Sequence, residues 1–270
     1  MPFTMNSSIQ LYNNIVAKVT FLIKQLKIKV TKSTGRTFAI TPENTISLAL
    51  FKQLQGIETK KSIWEIFEPE CSYKTLVVNM NRFALHALVM LYAIMRLNRQ
   101  YAHIVKHTDS TDIPVCLTKN GKHHKTMKGF ATWAHGPKGW YYGLKMSITT
   151  DLKRQLLAVR FGTGNSNDRE TFKKMNKDIM GIFVADAGYI SKDLEREFYI
   201  ENKRVLFVKP RANMKKLATE WQTKLYETRM LIELNFRSLK MFYKLVTSLP
   251  RSIDGYLANY AYSLLAFVLR

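Results

Sequence analysis

Residues 181–189 read Gly-Ile-Phe-Val-Ala-Asp-Ala-Gly-Tyr, and this stretch decides the fold class. Ile182 to Ala185 is a short apolar run with no polar interruption, and it begins after a glycine. A strand buried on both faces reads this way. Such strands belong to sheets covered by helices, and those sheets carry their sites at the carboxyl ends of strands. Asp186 stands at that end.

The flanking sequence extends the pattern. Downstream, Ser191-Lys192-Asp193-Leu194-Glu195 opens a helix, residues 204–209 (RVLFVK) form another strand, and a long helix covers about 219–245. Upstream, Asn167-Asp168-Arg169-Glu170 caps a helix that runs to about Ile179. Residues 139–150 (GWYYGLKMSITT) and 156–162 (LLAVRFG) are strand-like, with a turn at 151–154, and residues 103–108 form a first short strand. The predicted order is β-β-β-α-β-α-β-α, an α/β (α+β) domain over residues 101–270 with a basic loop at 118–138. Residues 1–100 read instead as all helical. Ile9, Tyr12, Ile15, Val16, Val19, Leu22, Ile23 and Leu26 recur at three-and-four spacing. Thr41-Pro42-Glu43 supplies an N-cap, a first-turn proline and a first-turn acid for a second helix stopping near Gly56. Two more helices follow at about 60–67 and 73–99. They form either a helix-turn-helix, whose second helix would enter a major groove, or a packed bundle.

Charge narrows the partner. Across 270 residues, 42 Lys and Arg face 20 Asp and Glu, a net charge of +22, while 46% of residues are hydrophobic. A chain this apolar folds, and a fold this basic expects a polyanion, DNA before an anionic membrane. The longest apolar run, residues 83–95, is shorter than the roughly 20 residues of a spanning helix, and no secretory signal is evident at MPFTMNSS. Membrane contact is therefore not expected. Two cysteines without paired spacing suit a reducing cytoplasm and exclude a thiolate zinc site. A catalytic metal would need oxygen ligands. All eight aspartates lie in residues 101–270, where such ligands could gather.

Three acids stand out there. Asp109 ends the first strand, Asp186 ends the buried one, and Glu233 lies inside the long helix. On a continuous helix Tyr226, Arg229, Glu233 and Lys240 fall within about 60° of one another, a narrow stripe of one carboxylate among phosphate-binding groups. Asp112 competes with Asp109, three residues away, and Asp168 reads as a helix cap. Lys119, Lys122, Lys125 and Lys128 make the 118–138 loop a phosphate-binding one, with His123 and His124 as bystanders.

Tyr226-x2-Arg229-x3-Glu233-x6-Lys240 resembles, at all four positions, the Y-x2-R-x3-E-x6-K signature of bacterial insertion-sequence transposases of the DDE type. Asp186-Ala187-Gly188-Tyr189, Asp109-Ser110-Thr111, and GWYYGLK with a downstream GNSNDRE resemble the same family, so the likeness covers residues 101–245. The resemblance implies an RNase H-like mixed sheet flanked by helices. It also implies Asp109, Asp186 and Glu233 as a catalytic, metal-binding triad, with Tyr226, Arg229 and Lys240 on DNA. Phosphodiester chemistry must activate a nucleophile and stabilise charge on attacking and leaving oxygens, which two Mg²⁺ ions about 3.5–4 Å apart can do; Mn²⁺ could substitute. The expectation is a cytoplasmic, nucleoid-associated homo-oligomer that cleaves transposon ends and joins them to target double-stranded DNA. A junction-resolvase-type nuclease and a silent transposase-derived DNA-binding protein are the alternatives.

Overall fold

The computed structural model describes residues 5–29, 37–189, 191–202, 204–208 and 219–270. Lys209, expected to close a strand, lies outside them, as do the first four residues. The chain divides into two compact units, Met1–Ile94 with Ser238–Arg270, and Met95–Arg237. The expected division at residue 100 therefore misplaces the C-terminal stretch, which joins the N-terminal helices.

In the helical unit, α1 (Met5–Gln25) and α2 (Pro42–Leu54) pack together. Thr41 caps α2 by accepting the Asn44 N–H at 3.2 Å, as the sequence indicates, and Gly56 takes up φ +63° beyond its end. Helix α2 is buried all round, the mark of a bundle's central helix. Helices α3 (Lys60–Phe67) and α4 (Tyr73–Arg82) both contact it.

The helix expected over 73–99 is two: α4 stops at Phe83, and α5 runs Ala84–Gln100. Phe83 leaves helical geometry at φ −84°, ψ 2°, and its ring is buried edge-on to Phe38. Taken together, 73–100 is long and apolar enough to cross a bilayer, by length and composition only. Leu76, Met80, Ala87, Met90 and Leu91 are nonetheless buried in the bundle.

The sheet unit is built on β1 (Val105–Pro114), which is longer than the expected 103–108. An antiparallel partner extends it, β3 (Gly139–Asp151), paired from Lys106↔Asp151 to Pro114↔Gly143. Asp109 is thus inside a strand rather than at its end, and so is Asp112. The expected 118–138 loop also contains structure: a 3₁₀ turn at Thr118–His123 and β2 (Thr132–Gly136), a hairpin arm on β3. Strand β4 (Leu156–Thr163) pairs with the rest of β3. On the far side of β1, β5 (Ile182–Ala185) runs parallel to it, and β6 (Val205–Val208) runs parallel to β5. The resulting order, β4-β3-β1-β5-β6 with three antiparallel strands followed by two parallel ones, is an RNase H-like sheet.

Helices α6 (Asp168–Met175) and α7 (Lys192–Asn202) cover one face through Phe172, Phe183 and Phe198, all buried. Phe172 meets Phe183 edge-on at 5.5 Å. Gly143 is required where β3 crosses the end of β1, because a Cβ there would run into the Ile113 carbonyl oxygen. Gly143→Ala should cost about 1–3 kcal/mol, measured as a shift of the urea midpoint at unchanged slope. A midpoint within error of wild type would show that the strands part without cost.

The long helix expected over 219–245 is broken twice. Helix α8 (Glu220–Glu227) stops at Thr228, whose hydroxyl donates to the Leu225 carbonyl at 2.6 Å. The next bonds, Leu231 N–H to Thr228 O and Ile232 N–H to Arg229 O, are of the tighter 3₁₀ type. A hydroxyl bonded back to the preceding turn bends a helix, and the chain restarts as α9 (Met230–Arg237). A π-helical turn, Ser238–Phe242, follows and opens the C-terminal part of the helical unit. That part ends in α10 (Ile253–Val268), which is largely buried against α2 and α4. The Tyr262 hydroxyl donates to the Met80 carbonyl at 2.8 Å, and the Gln53 amide to Asn259 Oδ1 at 2.9 Å. These buried polar links explain why the C-terminal stretch joins the helices rather than the sheet.

Candidate active site

Strand register brings two of the acids together. The β1–β5 ladder ends at His107↔Val184; Asp109 lies two residues further along β1, and Asp186 follows the last residue of β5. Residues two apart share a face of a strand, so Asp109 lies on the face opposite Phe183 and its helices, with Asp186 near enough for its charge to act on it. Asp112 falls on the other face by the same alternation, against Tyr141, whose phenol it helps to raise after burial.

Arg229 joins the cluster. Its guanidinium donates to Asp109 Oδ2 at 2.6 Å and to Glu233 Oε1 at 2.7 Å. The Arg229 and Asp109 side chains are 15% and 17% exposed, while Glu233 is 61% exposed. Burial works against the guanidinium charge, but Asp109, Asp186, Tyr226 and Glu233 outweigh it and hold Arg229 protonated. Burial likewise pushes the Asp109 carboxyl up to about 6, against the pull of Arg229 and the Ser110 N–H; Asp186 and Asp168 push the same way. Tyr226, at the end of α8, is raised by burial and senses the same charges.

A second layer fixes this geometry. His107 Nε2 lies 2.8 Å from the Thr228 hydroxyl, tying β1 to the helix break. Burial lowers that histidine to about 4, so it is neutral at physiological pH. On the opposite face, Ser110 Oγ lies 2.7 Å from Ser147 Oγ and 3.2 Å from the Tyr189 hydroxyl. Asp168 is the first residue of α6, capped by Asn167, and forms a 3.2 Å ion pair with Lys145. Neither His107 nor Thr228 was singled out from sequence. Period-two counting back from Asp109 would have found His107, whereas nothing in the chain announces its partner 121 residues away.

The remaining expected residues are dispersed. Lys119 and Lys122 project from the 3₁₀ turn, and Lys125 and Lys128 from the loop after it; all four are exposed and make no ion pair among the described residues. Buried Met127 and Gly121 anchor that segment, and His124 lays its ring 5.9 Å from Tyr142. Lys240 lies in the π-helical turn, within the helical unit. The continuous stripe over 226–240 is therefore cut at Thr228 and again at Ser238.

Three carboxylates are hard oxygen donors of the kind Mg²⁺ prefers, and a buried acid held up near 6 is one that gains from a cation. Arg229 supplies that charge here. Among the described residues no three acids stand close enough to share an ion. The donors are of the chemical kind a divalent metal takes, and Arg229 bridges Asp109 and Glu233.

No curated protein sequence matches the chain. Among solved structures, the piggyBac transposase synaptic complex with hairpin DNA aligns with 97% of this chain and 74% of its own, at 9% identity and a TM-score of 0.51, a likeness of fold. The Mos1 strand transfer complex aligns at 12% identity over 87% of this chain and 78% of its own, with a TM-score of only 0.27. The family model described as "Transposase DDE domain" matches residues 100–253, from before β1 to the start of α10. With more than half of its length matched, this chain belongs to the DDE transposase family.

Proposed function

We propose that the protein cleaves DNA at transposon ends and joins the freed end to target DNA, with Asp109, Asp186 and Glu233 as metal-binding catalytic acids. One observation carries the reading: Asp109 inside β1 and Asp186 just beyond the end of the parallel neighbour β5, with Arg229 binding Asp109 and Glu233 together. Bound divalent metal, two Mg²⁺ or Mn²⁺ ions in this reading, would supply charge stabilisation and an activated oxygen nucleophile.

The chain's own side chains do the rest. Asp109 holds a fixed position because β1 carries it and Asp186 directly follows β5, whereas Glu233, on an exposed turn of α9, can adjust. Arg229 is the cation that must leave the acids, and its planar fork then suits a phosphate bidentately. Tyr226 stands beside it to meet a strand terminus, and Lys240 adds a point charge. The exposed lysines at 119, 122, 125 and 128 would follow a DNA backbone. The helical unit would make further DNA contact, α4 being the helix-turn-helix candidate for a major groove. The resemblance to bacterial insertion-sequence enzymes supports a homo-oligomer on DNA in a bacterial cytoplasm.

A strand-transfer assay with Mg²⁺ or Mn²⁺ and candidate terminal DNA tests this. Joined products are expected. Cleavage without joining would favour a resolvase-type nuclease, and binding alone a silent derivative. Arg229→Gln and Lys240→Gln should each flatten the slope of log K against log salt by about one unit. An unchanged slope would remove that residue from the DNA contacts.

A further inference from the structure

The helical unit holds a second place built for negative charge, far from the acids in chain terms. A cavity of about 490 Å³ opens between the start of α3, one side of α4 and the residues leading into α10. Lys52, Lys60, Lys61 and Arg251 line it, and Glu58 is the single carboxylate among its lining residues. Glu58 is largely committed elsewhere, 74% exposed and 3.5 Å from Lys244.

Lys52 is the unusual member. It projects from the buried helix α2, is 7% exposed, and forms no ion pair among the described residues. Lys60 Nζ donates to Asn81 Oδ1 at 2.6 Å, a neutral partner. A buried ammonium without a counter-charge is costly, and a second one beside it adds repulsion. A fold that keeps both has a use for an anion. Tyr73, Val77, Leu249 and Pro250 give the same cavity an apolar wall, and its volume falls in the range of small-molecule sites.

We propose that this cavity binds the phosphate of a nucleotide, with Lys52 and Lys60 as charge partners and the apolar wall against the remainder. Two adjacent ammoniums suit a phosphate better than a single carboxylate, since lysine acts as a point charge that several oxygens can share. The phosphate comes either from a DNA strand or from a free nucleotide; the chemistry recognised is the same. Titration agrees with the geometry. Burial lowers Lys52 to about 8, helped by Lys60 and Lys244 and opposed by Glu58, and burial alone lowers Lys60 to about 8. Both amines therefore retain some neutral, nucleophilic form near neutrality. The inference stands apart from the chemistry of the sheet unit, which the strand-transfer assay tests separately.

Pyridoxal 5′-phosphate carries a phosphate and an aldehyde that forms an imine with a neutral lysine amine. The full chain is treated with it, reduced with borohydride, and mapped by peptide mass spectrometry, with phosphate-free pyridoxal as control and exposed Lys24, outside the cavity, as internal reference. Lys52 or Lys60 should be modified at least tenfold more by pyridoxal phosphate than by pyridoxal, with no such preference at Lys24. Equal labelling by both reagents, or none at Lys52 and Lys60, overturns the proposal. Protection by a single-stranded oligonucleotide alone identifies a DNA strand as the source. Protection by pyrophosphate or a mononucleotide identifies free phosphate compounds, and protection by none of them overturns the site.

Discussion

Asp109→Asn should abolish strand cleavage and joining, by at least about 10³-fold, while DNA binding by gel shift stays within a few-fold of wild type. The size follows from the chemistry: losing a metal-binding carboxylate removes several kcal/mol of transition-state stabilisation, and about 4 kcal/mol is a thousandfold in rate. The selectivity follows from the structure. Asp109 is 17% exposed inside β1, so the exposed lysines at 119, 122, 125 and 128 are untouched by its loss, and asparagine fills the same volume. The fold should survive as well. Asparagine keeps an oxygen that can accept from Arg229, and Glu233 still offsets part of the guanidinium charge. Substantial cleavage by a folded Asp109→Asn protein would sink its assignment. Asp186→Asn and Glu233→Gln are expected to behave alike in the same assay.

Lys52→Met should stabilise the protein by up to about 3 kcal/mol at pH 7, an upward shift of roughly 5–10 °C in the thermal midpoint. The estimate comes from the lowering of Lys52 from 10.5 to about 8, at about 1.4 kcal/mol per unit. A lowered lysine means that the unfolded chain binds more protons than the folded one between pH 8 and 10.5. Wild-type stability from this group therefore rises with pH through that window and is lowest below it. The groups facing Lys52 are Lys60 and Lys244, which add to the lowering, and Glu58, which opposes it. Methionine keeps the length of the stem and removes the charge, so the gain at pH 7 should shrink by pH 10.5. A midpoint that falls at pH 7 would show that the ammonium has a counter-charge after all, and a gain independent of pH would show that its charge is not the cause. A gain of this kind is also what a residue kept for binding predicts, since stability is commonly given up at ligand sites.

Much of the sheet was legible because burial dictates residue type. The apolar run at 182–185 has one physical solution, a strand covered on both faces, and Asn167 and Thr41 announce their helices through caps that act within three residues. The misreadings share a cause. Strand β1 runs to Pro114 because β3 pairs with it, β2 is a strand because it lies on β3, and both facts depend on distant partners. Local propensity could not place the break at Thr228 either, since its hydroxyl answers to Leu225 and to His107.

The sequence by itself determined the chemical vocabulary: the α/β class, the basic surface, the three acids and the Tyr226-Arg229-Glu233-Lys240 spacing. These are properties of residue type and interval, which a chain carries unfolded. Only the tertiary structure decided which groups meet. Parallel register brings Asp109 of β1 near the end of β5, where Asp186 follows, and alternation sends Asp112 to the other face. A bent helix brings Arg229 within 2.6 Å of Asp109 across 120 residues. Packing also leaves Lys52 buried without an ion pair among the described residues, which no charge count reveals. Contact between distant residues depends on register, and register is settled by the pairing of whole strands rather than by any stretch alone.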